Sequence, residues 1–217
     1  MAKSGMEIKM NTSMINKTIK VSILLYVIVF FICLYFFEGN FLKSISPALT
    51  VVSILWILYF KFAWSLPVFN LLFKVPNLNG TWVGTLKSDW LDENGKSVDD
   101  IEFYIVIKQQ FLNLHIKTFT ENYCGKSYIE KLEFKEKEDE VILAYFYCSD
   151  LLSNEEDLRQ GVSELRVIRD ESAFLHGKYW TRNKTSGIIS LCHFKDRHYS
   201  TFEQIKNHVA HGGNIHV

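Results

Sequence analysis

Residues 101–117 read IEFYIVIKQQFLNLHIK, and two alternating patterns lie inside that stretch. Ile101, Phe103, Ile105 and Ile107 fall on one side of an extended chain, with Glu102, Tyr104, Val106 and Lys108 on the other. Leu112, Leu114 and Ile116 then alternate with Asn113, His115 and Lys117. A period of two sends successive side chains to opposite faces, which marks strands with one buried face. To either side, comparable segments lie near 80–90, 100–109, 111–120, 123–135, 139–149, 162–169, 172–182 and 186–195. Breakers separate them: Asn94-Gly95, Asn154 to Asp157, Gly161, Arg169-Asp170 and Asn183 to Gly187. No long helical period intervenes before Phe202–Val209, so βαβ units and a parallel sheet are not expected. The pattern predicts an all-β domain over 76–217, an eight-stranded antiparallel up-and-down β-barrel, with an open two-sheet sandwich as the alternative. Closure removes the exposed sheet edges and leaves an interior filled by side chains or holding one small ligand.

Upstream of this domain the chain has a different character. Val21 to Phe37 and Ser44 to Phe60 are uncharged runs of 17 residues each, bracketed by Lys20, Glu38 and Lys61. At about 1.5 Å per residue each run spans about 25 Å, slightly short of a hydrocarbon core of about 30 Å. Snorkelling of Lys20 and Lys61, with Trp56, Tyr59 and Trp64 near the interface, closes that gap. Pro47 lies near the start of the second run, where a helix tolerates proline. A signal peptide would need a small-residue cleavage site, and Phe36-Phe37-Glu38-Gly39-Asn40 offers a poor one. Buried helices of a soluble protein would show a polar stripe or an amphipathic face, and neither run does. The reading is a two-helix transmembrane hairpin: a segment 1–20, an anchor and linker over 21–75, then the barrel.

The formal net charge of zero at pH 7 is a cancellation. Residues 1–75 hold seven lysines and two glutamates, a balance of +5, and residues 76–217 carry −5. Lys3, Lys9, Lys17 and Lys20 precede the first run, and Lys61 and Lys74 follow the second, so the positive-inside rule places both termini and the barrel in the cytoplasm. Neither span contains an ionisable Asp, Glu, Lys, Arg or His, which argues against a proton relay through the hairpin. A neutral chain with an acidic barrel is not a general DNA or RNA binder. Cys33, Cys124, Cys148 and Cys192 have no close spacing that would indicate a disulfide framework or zinc site, in keeping with buried thiols in a reducing compartment.

Enzyme signatures are missing from the sequence: it has no GxSxG, Walker loop, HExxH, GxGxxG or CxxC, and no enzyme, metal site or cofactor is expected. His208, His211 and His216 read as part of a flexible tail. Two clusters carry more information. Asn77-Leu-Asn79-Gly80-Thr81-Trp82-Val-Gly84 opens the first strand, and a Gly-x-Trp there resembles lipocalin-type folds, in which the Trp plugs one barrel end; ligand stacking by Trp82 is the other possibility. The predicted hairpin Gly177 to Gly187, GKYWTRNKTSG, lies in a stretch, 176–197, that carries +4 locally, whereas residues 130–157 carry −7. Trp180 and Arg182 share a strand face, and an aromatic beside a guanidinium is the pairing that holds a base and a phosphate. Thr181, Thr185 and Ser186 add hydroxyls, and Lys184 a further charge. An ordinary charged hairpin with one core Trp fits the same residues.

Two apolar helices, NLNGTWVGTLKSDW, eight strands and YWTRNKTSGIISL, in that order, make the chain resemble the SMODS-associated two-transmembrane β-strand-rich effector family of CBASS antiphage systems. The resemblance covers essentially the whole chain and implies a receptor, not an enzyme. Members sense a cyclic dinucleotide made by a partner nucleotidyltransferase after phage infection, then oligomerise and disrupt the bacterial inner membrane, so that the infected cell dies before phage matures. On the family pattern, Trp82 and Gly84 match the first strand, and Tyr179, Thr181, Arg182, Thr185 and Gly187 match the hairpin; Trp180 and Lys184 join the candidate ligand-binding set on stacking and charge alone. The long Asp92–Asp100 loop departs from the pattern. Competing readings are a membrane-anchored barrel that binds an apolar ligand, one that binds a protein partner, and a membrane enzyme. An assembly interface is expected on the tail helix or on Tyr104 and Val106 of the barrel exterior.

Overall fold

The computed structural model describes residues 12–66, 73, 75–91, 95–111, 113–135, 140–151, 154–169 and 173–211. Lys3, Lys9, Lys74, Leu112, residues 92–94 of the long loop, and His216 lie outside the described residues. The chain divides into two compact units, a helical one ending at Asn77 and a barrel beginning at Leu78.

The helical unit is an antiparallel pair, α1 (Thr12–Phe36) and α2 (Phe41–Lys61). Both are longer than the uncharged runs, with 25 and 21 residues, because Lys17, Lys20 and Lys43 are good helix formers and extend them. At about 1.5 Å per residue they reach about 37 and 31 Å, so both are long and apolar enough to cross a membrane without thinning it. The turn between them closes with Gly39, at φ +80°, donating its N–H to Leu34 O at 2.8 Å. Asn40 then caps α2 by accepting from the Lys43 N–H at 3.1 Å. Pro47 falls in the second turn of α2 and not at its start, since the helix begins at Phe41. Ser44, Ala48 and Val52, at i, i+4 and i+8, are buried and form the packed face of α2. Small residues there let the two backbones approach, and Trp56 Nε1 donates to Ser22 Oγ across the pair at 3.0 Å.

The second unit is a closed eight-stranded meander, with β1 (Gly80–Ser88) antiparallel to both β2 (Ile101–Gln109) and β8 (Ser186–Lys195). Between them run β3 (Leu114–Phe119), β4 (Tyr123–Lys135), β5 (Glu140–Leu151), β6 (Asn154–Arg169) and β7 (Ala173–Thr181). The barrel is the expected one; the sandwich alternative is excluded by the β1–β8 pairing that leaves no edge. Strand limits agree with the sequence reading to within two residues except in β3, which begins at Leu114 because Gln110 and Asn113 bond each other's backbone in a turn, and in β6, which begins at Asn154 and absorbs the segment read as a breaker. Its ladder with β5 is continuous from Arg166 opposite Ile142 to Leu158 opposite Asp150, then shifts register and skips residues 155–157 to place Asn154 opposite Leu151. Gly161, also read as a breaker, is a mid-strand residue. A Cβ there would lie 2.6 Å from Tyr147 Oη and 2.7 Å from the Trp180 carbonyl, so the position takes only glycine.

The register sorts the faces. Trp82, Gly84 and Leu86 of β1 point inward with Phe103, Ile105 and Ile107 of β2. The outward residues Tyr104 and Val106 are nevertheless buried, at 4% and 1% exposure. They are covered by a C-terminal helix, α3 (Phe202–His211), whose Phe202 ring stacks on Tyr104 at 4.9 Å and whose Ile205 is fully buried beside Val83, Phe119 and Tyr199. Tyr104 and Val106 therefore face the chain's own helix and offer no surface for assembly. His208 and His211 belong to α3, each ring within hydrogen-bond distance of the carbonyl four residues earlier, and are not part of a flexible tail. The described cysteines form no disulfide.

Candidate functional site

One end of the barrel is shut. Trp82, 1% exposed, lies across the interior with Nε1 donating to Leu78 O at 3.0 Å and its ring edge-on to His193 at 5.1 Å. Gln109 accepts from the Leu78 N–H at 2.7 Å through Oε1, and Asn79 both accepts from the Gln109 N–H and donates to Gln109 O, at 2.8 Å each. The Asn77–Trp82 motif thus folds back over the end of the strands and ties itself to β2. Fully buried Ile105, Ile107, Leu143, Leu165, Leu175 and Leu191 fill the interior around and above this closure.

The other end opens into a cavity of about 810 Å³, within the range of small-molecule sites. All eight strands contribute to its wall, and the turns after β1, β3 and β7 form its rim. Among the described lining residues the cations are Arg159 and Lys206, and the carboxylates are Asp99, Asp100, Glu102 and Glu121. Lys206 is engaged by Glu102 at 3.1 Å. Arg159, inward-facing on β6, lays its guanidinium over the Tyr123 ring at 4.0 Å, a cation–π contact that holds the side chain at the mouth. Tyr147 and Tyr179 line the wall close by; burial raises both phenols above their ordinary value, and the Arg159 charge offsets part of that rise. Both remain neutral hydroxyl groups over the physiological range.

The hairpin residues divide by face. Tyr179, Thr181 and Thr185 line the cavity, with the two threonine hydroxyls 2.7 Å apart across the turn. Trp180 is on the outer face at 45% exposure, and Arg182 and Lys184 sit exposed in the turn, Lys184 at φ +60°. None of these three lines the cavity, and Trp82 is below it, so the structure brings together three of the seven candidate residues. Arg159, Tyr123 and Tyr147 were not anticipated. Arg159 sits in EEDLRQG, where no alternation is visible, and Tyr147 reads as one more core aromatic.

The mouth is pinned where β1 ends. Ser186 donates its N–H to Asp89 Oδ1 at 2.7 Å and its hydroxyl to Oδ2, while the Asp89 N–H donates to Ser186 O at 2.9 Å. The hydrogen bonds from Ser186 hold the Asp89 carboxyl below its ordinary value of 3.8. A depressed carboxyl stabilises the fold above its unfolded value, and that stabilisation is lost as pH falls through the folded one. The melting-temperature difference between wild type and Asp89→Asn should therefore be constant above about pH 5 and shrink below about pH 4. A difference that is flat down to pH 2.5 would remove Asp89 from the acid response.

Comparison with known proteins bears on this geometry directly. The family model described as "Cap15, cyclic dinucleotide receptor domain" matches residues 73–193, which include β1 to β7 and most of β8. The curated protein "CD-NTase-associated protein 15" of Escherichia albertii is 28% identical over 183 residues, covering 79% of this chain and 91% of its own length. A protein of the same name from Staphylococcus schleiferi is 24% identical over 184 residues, covering 82% and 96%.

Proposed function

Since the chain belongs to the Cap15 cyclic dinucleotide receptor domain family, we propose that its barrel cavity binds a cyclic dinucleotide and that the protein is a CBASS effector rather than an enzyme. The observation that carries this reading is the open cavity of about 810 Å³ with the Arg159–Tyr123 stack at its mouth. A guanidinium fork can bind phosphate oxygens in pairs, and Tyr123, Tyr147 and Tyr179 supply rings and hydroxyls for bases and riboses. Tyr179, Thr181 and Thr185 are the hairpin residues proposed to touch the ligand; Trp82 closes the opposite end. The messenger would come from a partner nucleotidyltransferase.

Binding is proposed to drive self-association of the two-helix anchors in the inner membrane and to disrupt it, with both termini and the barrel cytoplasmic. Lys17 and Lys20 in α1 and Lys61 at the end of α2 support that orientation. With Tyr104 and Val106 covered, one uncovered apolar patch is an outer row in which Ile129 pairs with Phe146, Phe146 with Val162 and Val162 with Trp180. In the neighbouring outer row Glu164 of β6 pairs with Lys178 of β7. A two-fold axis parallel to the strands, between β6 and β7, sets Val162 against Trp180 of a second copy and Glu164 against Lys178 of that copy, each contact occurring twice. Glu164→Lys should abolish ligand-induced assembly, and Glu164→Lys with Lys178→Glu should restore it, read by cross-linking in detergent at unchanged ligand affinity. Failure of the double variant to recover would place the interface elsewhere.

The reading as a whole is tested by thermal shift of the full chain with cyclic dinucleotides, linear nucleotides and fatty acids. Cyclic dinucleotides alone should stabilise, by about 2.7 kcal/mol at a ligand concentration one hundred times Kd. Stabilisation by fatty acids alone would sink it.

A further inference from the structure

The outer face of β2, β3 and β4 divides into two halves. Toward the mouth, Tyr104, Val106, Phe119 and Cys124 pack in the cluster under α3. Toward the closed end, where Leu78 is tied to Gln109, the outward residues are Lys108, His115, Lys117 and Lys126, all exposed. The register sets them side by side, Lys108 opposite His115 and Lys117 opposite Lys126. Like charges directly opposite each other destabilise a strand pair. Among the described residues no carboxylate lies within ion-pair distance of Lys108, Lys117 or Lys126, and His115 is 3.8 Å from the buried Glu130. The segment after β8 brings more positive charge to this end. Thr81 Oγ1 donates to Arg197 O at 2.6 Å and His198 Nε2 lies 3.0 Å from Ile107 O, which sets these two exposed residues beside β2, with Asp196 as their neighbouring carboxylate.

A domain that carries −5 overall thus gathers cations on one patch of its outer wall. They are spread over three strands on a convex surface, which suits an extended layer of negative charge better than one small anion. The linker decides which layer is in reach. Eighteen residues separate the end of α2 at Lys61 from the start of β1 at Gly80, at most about 60 Å when fully extended. They enter the barrel at Leu78, which bonds Gln109, the residue after Lys108. The cations therefore lie at the end of the barrel that the linker enters, and the mouth is at the other end. Tethering keeps a lipid surface at high effective concentration, whereas a second copy must first arrive. Anionic phospholipid attracts Lys and Arg within a Debye length of about 8 Å.

From this we infer that the Lys108, His115, Lys117 and Lys126 face is a docking surface for anionic phospholipid headgroups, on which the barrel rests with its mouth clear of the bilayer. The inference rests on the reading of α1 and α2 as membrane-spanning with the barrel cytoplasmic, and not on the identity of the cavity's ligand. It also accounts for the opposed lysines. A headgroup phosphate between Lys117 and Lys126 replaces one repulsion with two attractions.

The test uses the full, unliganded chain in nanodiscs of phosphatidylcholine, alone or mixed with phosphatidylglycerol, probed by lysine acylation and mass spectrometry. Lys108, Lys117 and Lys126 should be acylated about threefold more slowly in the anionic discs, and the difference should vanish at about 1 M salt. Lys178, exposed on β7 and four strands from β3 in the ring of eight, should react equally in both. Lys126→Glu removes the repulsion with Lys117, so it should hold or raise the melting temperature in detergent while halving, roughly, the protection of Lys108 and Lys117. Equal rates at the three lysines in both lipids overturn the docking surface and leave the membrane reading standing. Protection that is the same in both lipids and grows with the number of chains per disc assigns the face to a second copy and also overturns it. A chain that does not enter the discs overturns the membrane reading, and this inference with it.

Discussion

Replacing Arg159 by alanine should weaken cyclic dinucleotide binding by about a hundredfold, equivalent to about 2.7 kcal/mol. The guanidinium is held over the Tyr123 ring at the cavity mouth, so little side-chain freedom remains to be lost when phosphate arrives. Arg159 is exposed at the mouth before ligand arrives, and charge-assisted hydrogen bonds of the kind its fork can make to phosphate are worth about 1.5–3 kcal/mol each. Arg159→Lys should recover only part of the loss, because an ammonium neither forks nor stacks as a guanidinium does. Arg182→Ala and Lys184→Ala should stay within about threefold of wild type, since both lie in the turn outside the cavity wall that Arg159 lines. The four carboxylates among the described lining residues sharpen the contrast: they repel a dianion, Lys206 is engaged by Glu102, and Arg159 is left to offset them at the phosphates. Titration of the full chain in detergent decides it. Equal losses at Arg159 and Arg182 would mean that the hairpin turn, and not the cavity mouth, holds the phosphates.

Gly84→Ala should destabilise the barrel by about 3 kcal/mol or more, and Gly84→Val should leave no cooperative unfolding transition for it. An added Cβ would stand 2.0 Å from the Ser190 carbonyl and 3.0 Å from Leu191 Cα, both backbone atoms of β8. A side chain can rotate away from such a contact, but a paired strand cannot. Relief therefore requires β1 and β8 to separate at the seam that closes the barrel. The expected fall in melting temperature for Gly84→Ala is about 10 °C on the usual scaling for a domain of this size. Lys87→Ala, an exposed change on the same strand, should shift it by no more than about 2 °C. If Gly84→Ala melts with wild type, the seam tolerates more slack than this packing implies.

Much of the barrel was legible because a strand with one buried face has no choice of period. The alternation of Ile101, Phe103, Ile105 and Ile107 reappears as the inward face of β2, and the eight segments reappear in order. Where alternation was absent the strand was missed: Asn154 to Asp157 looks like loop because nothing apolar marks a face, and the ladder with β5 reaches it only at Asn154, after skipping residues 155–157. The hairpin shows the same limit from the other side. Parity correctly sets Tyr179 and Thr181 against Trp180 and Arg182, but parity does not say which face turns inward. A large indole suggests the core, whereas the register with β6 and β8 turns it out and sends Tyr179 in.

The amino-acid sequence alone was sufficient for the properties that follow from near neighbours along the chain. Two helices long and apolar enough for a bilayer, a meander of eight strands, and membership in a receptor family all rest on local composition, period and motif order. The cavity belongs to a different class of property. Arg159 and Tyr123 lie 36 residues apart in the chain, and Ser163 meets Tyr179 in the wall only because β6 and β7 pair at that register. Tyr104 and Val106 looked exposed until a helix some 100 residues downstream folded over them. Closing a sheet into a barrel requires one register at every seam, and that shared register selects which residues meet inside. No local pattern encodes it, so the site was decided by the tertiary structure.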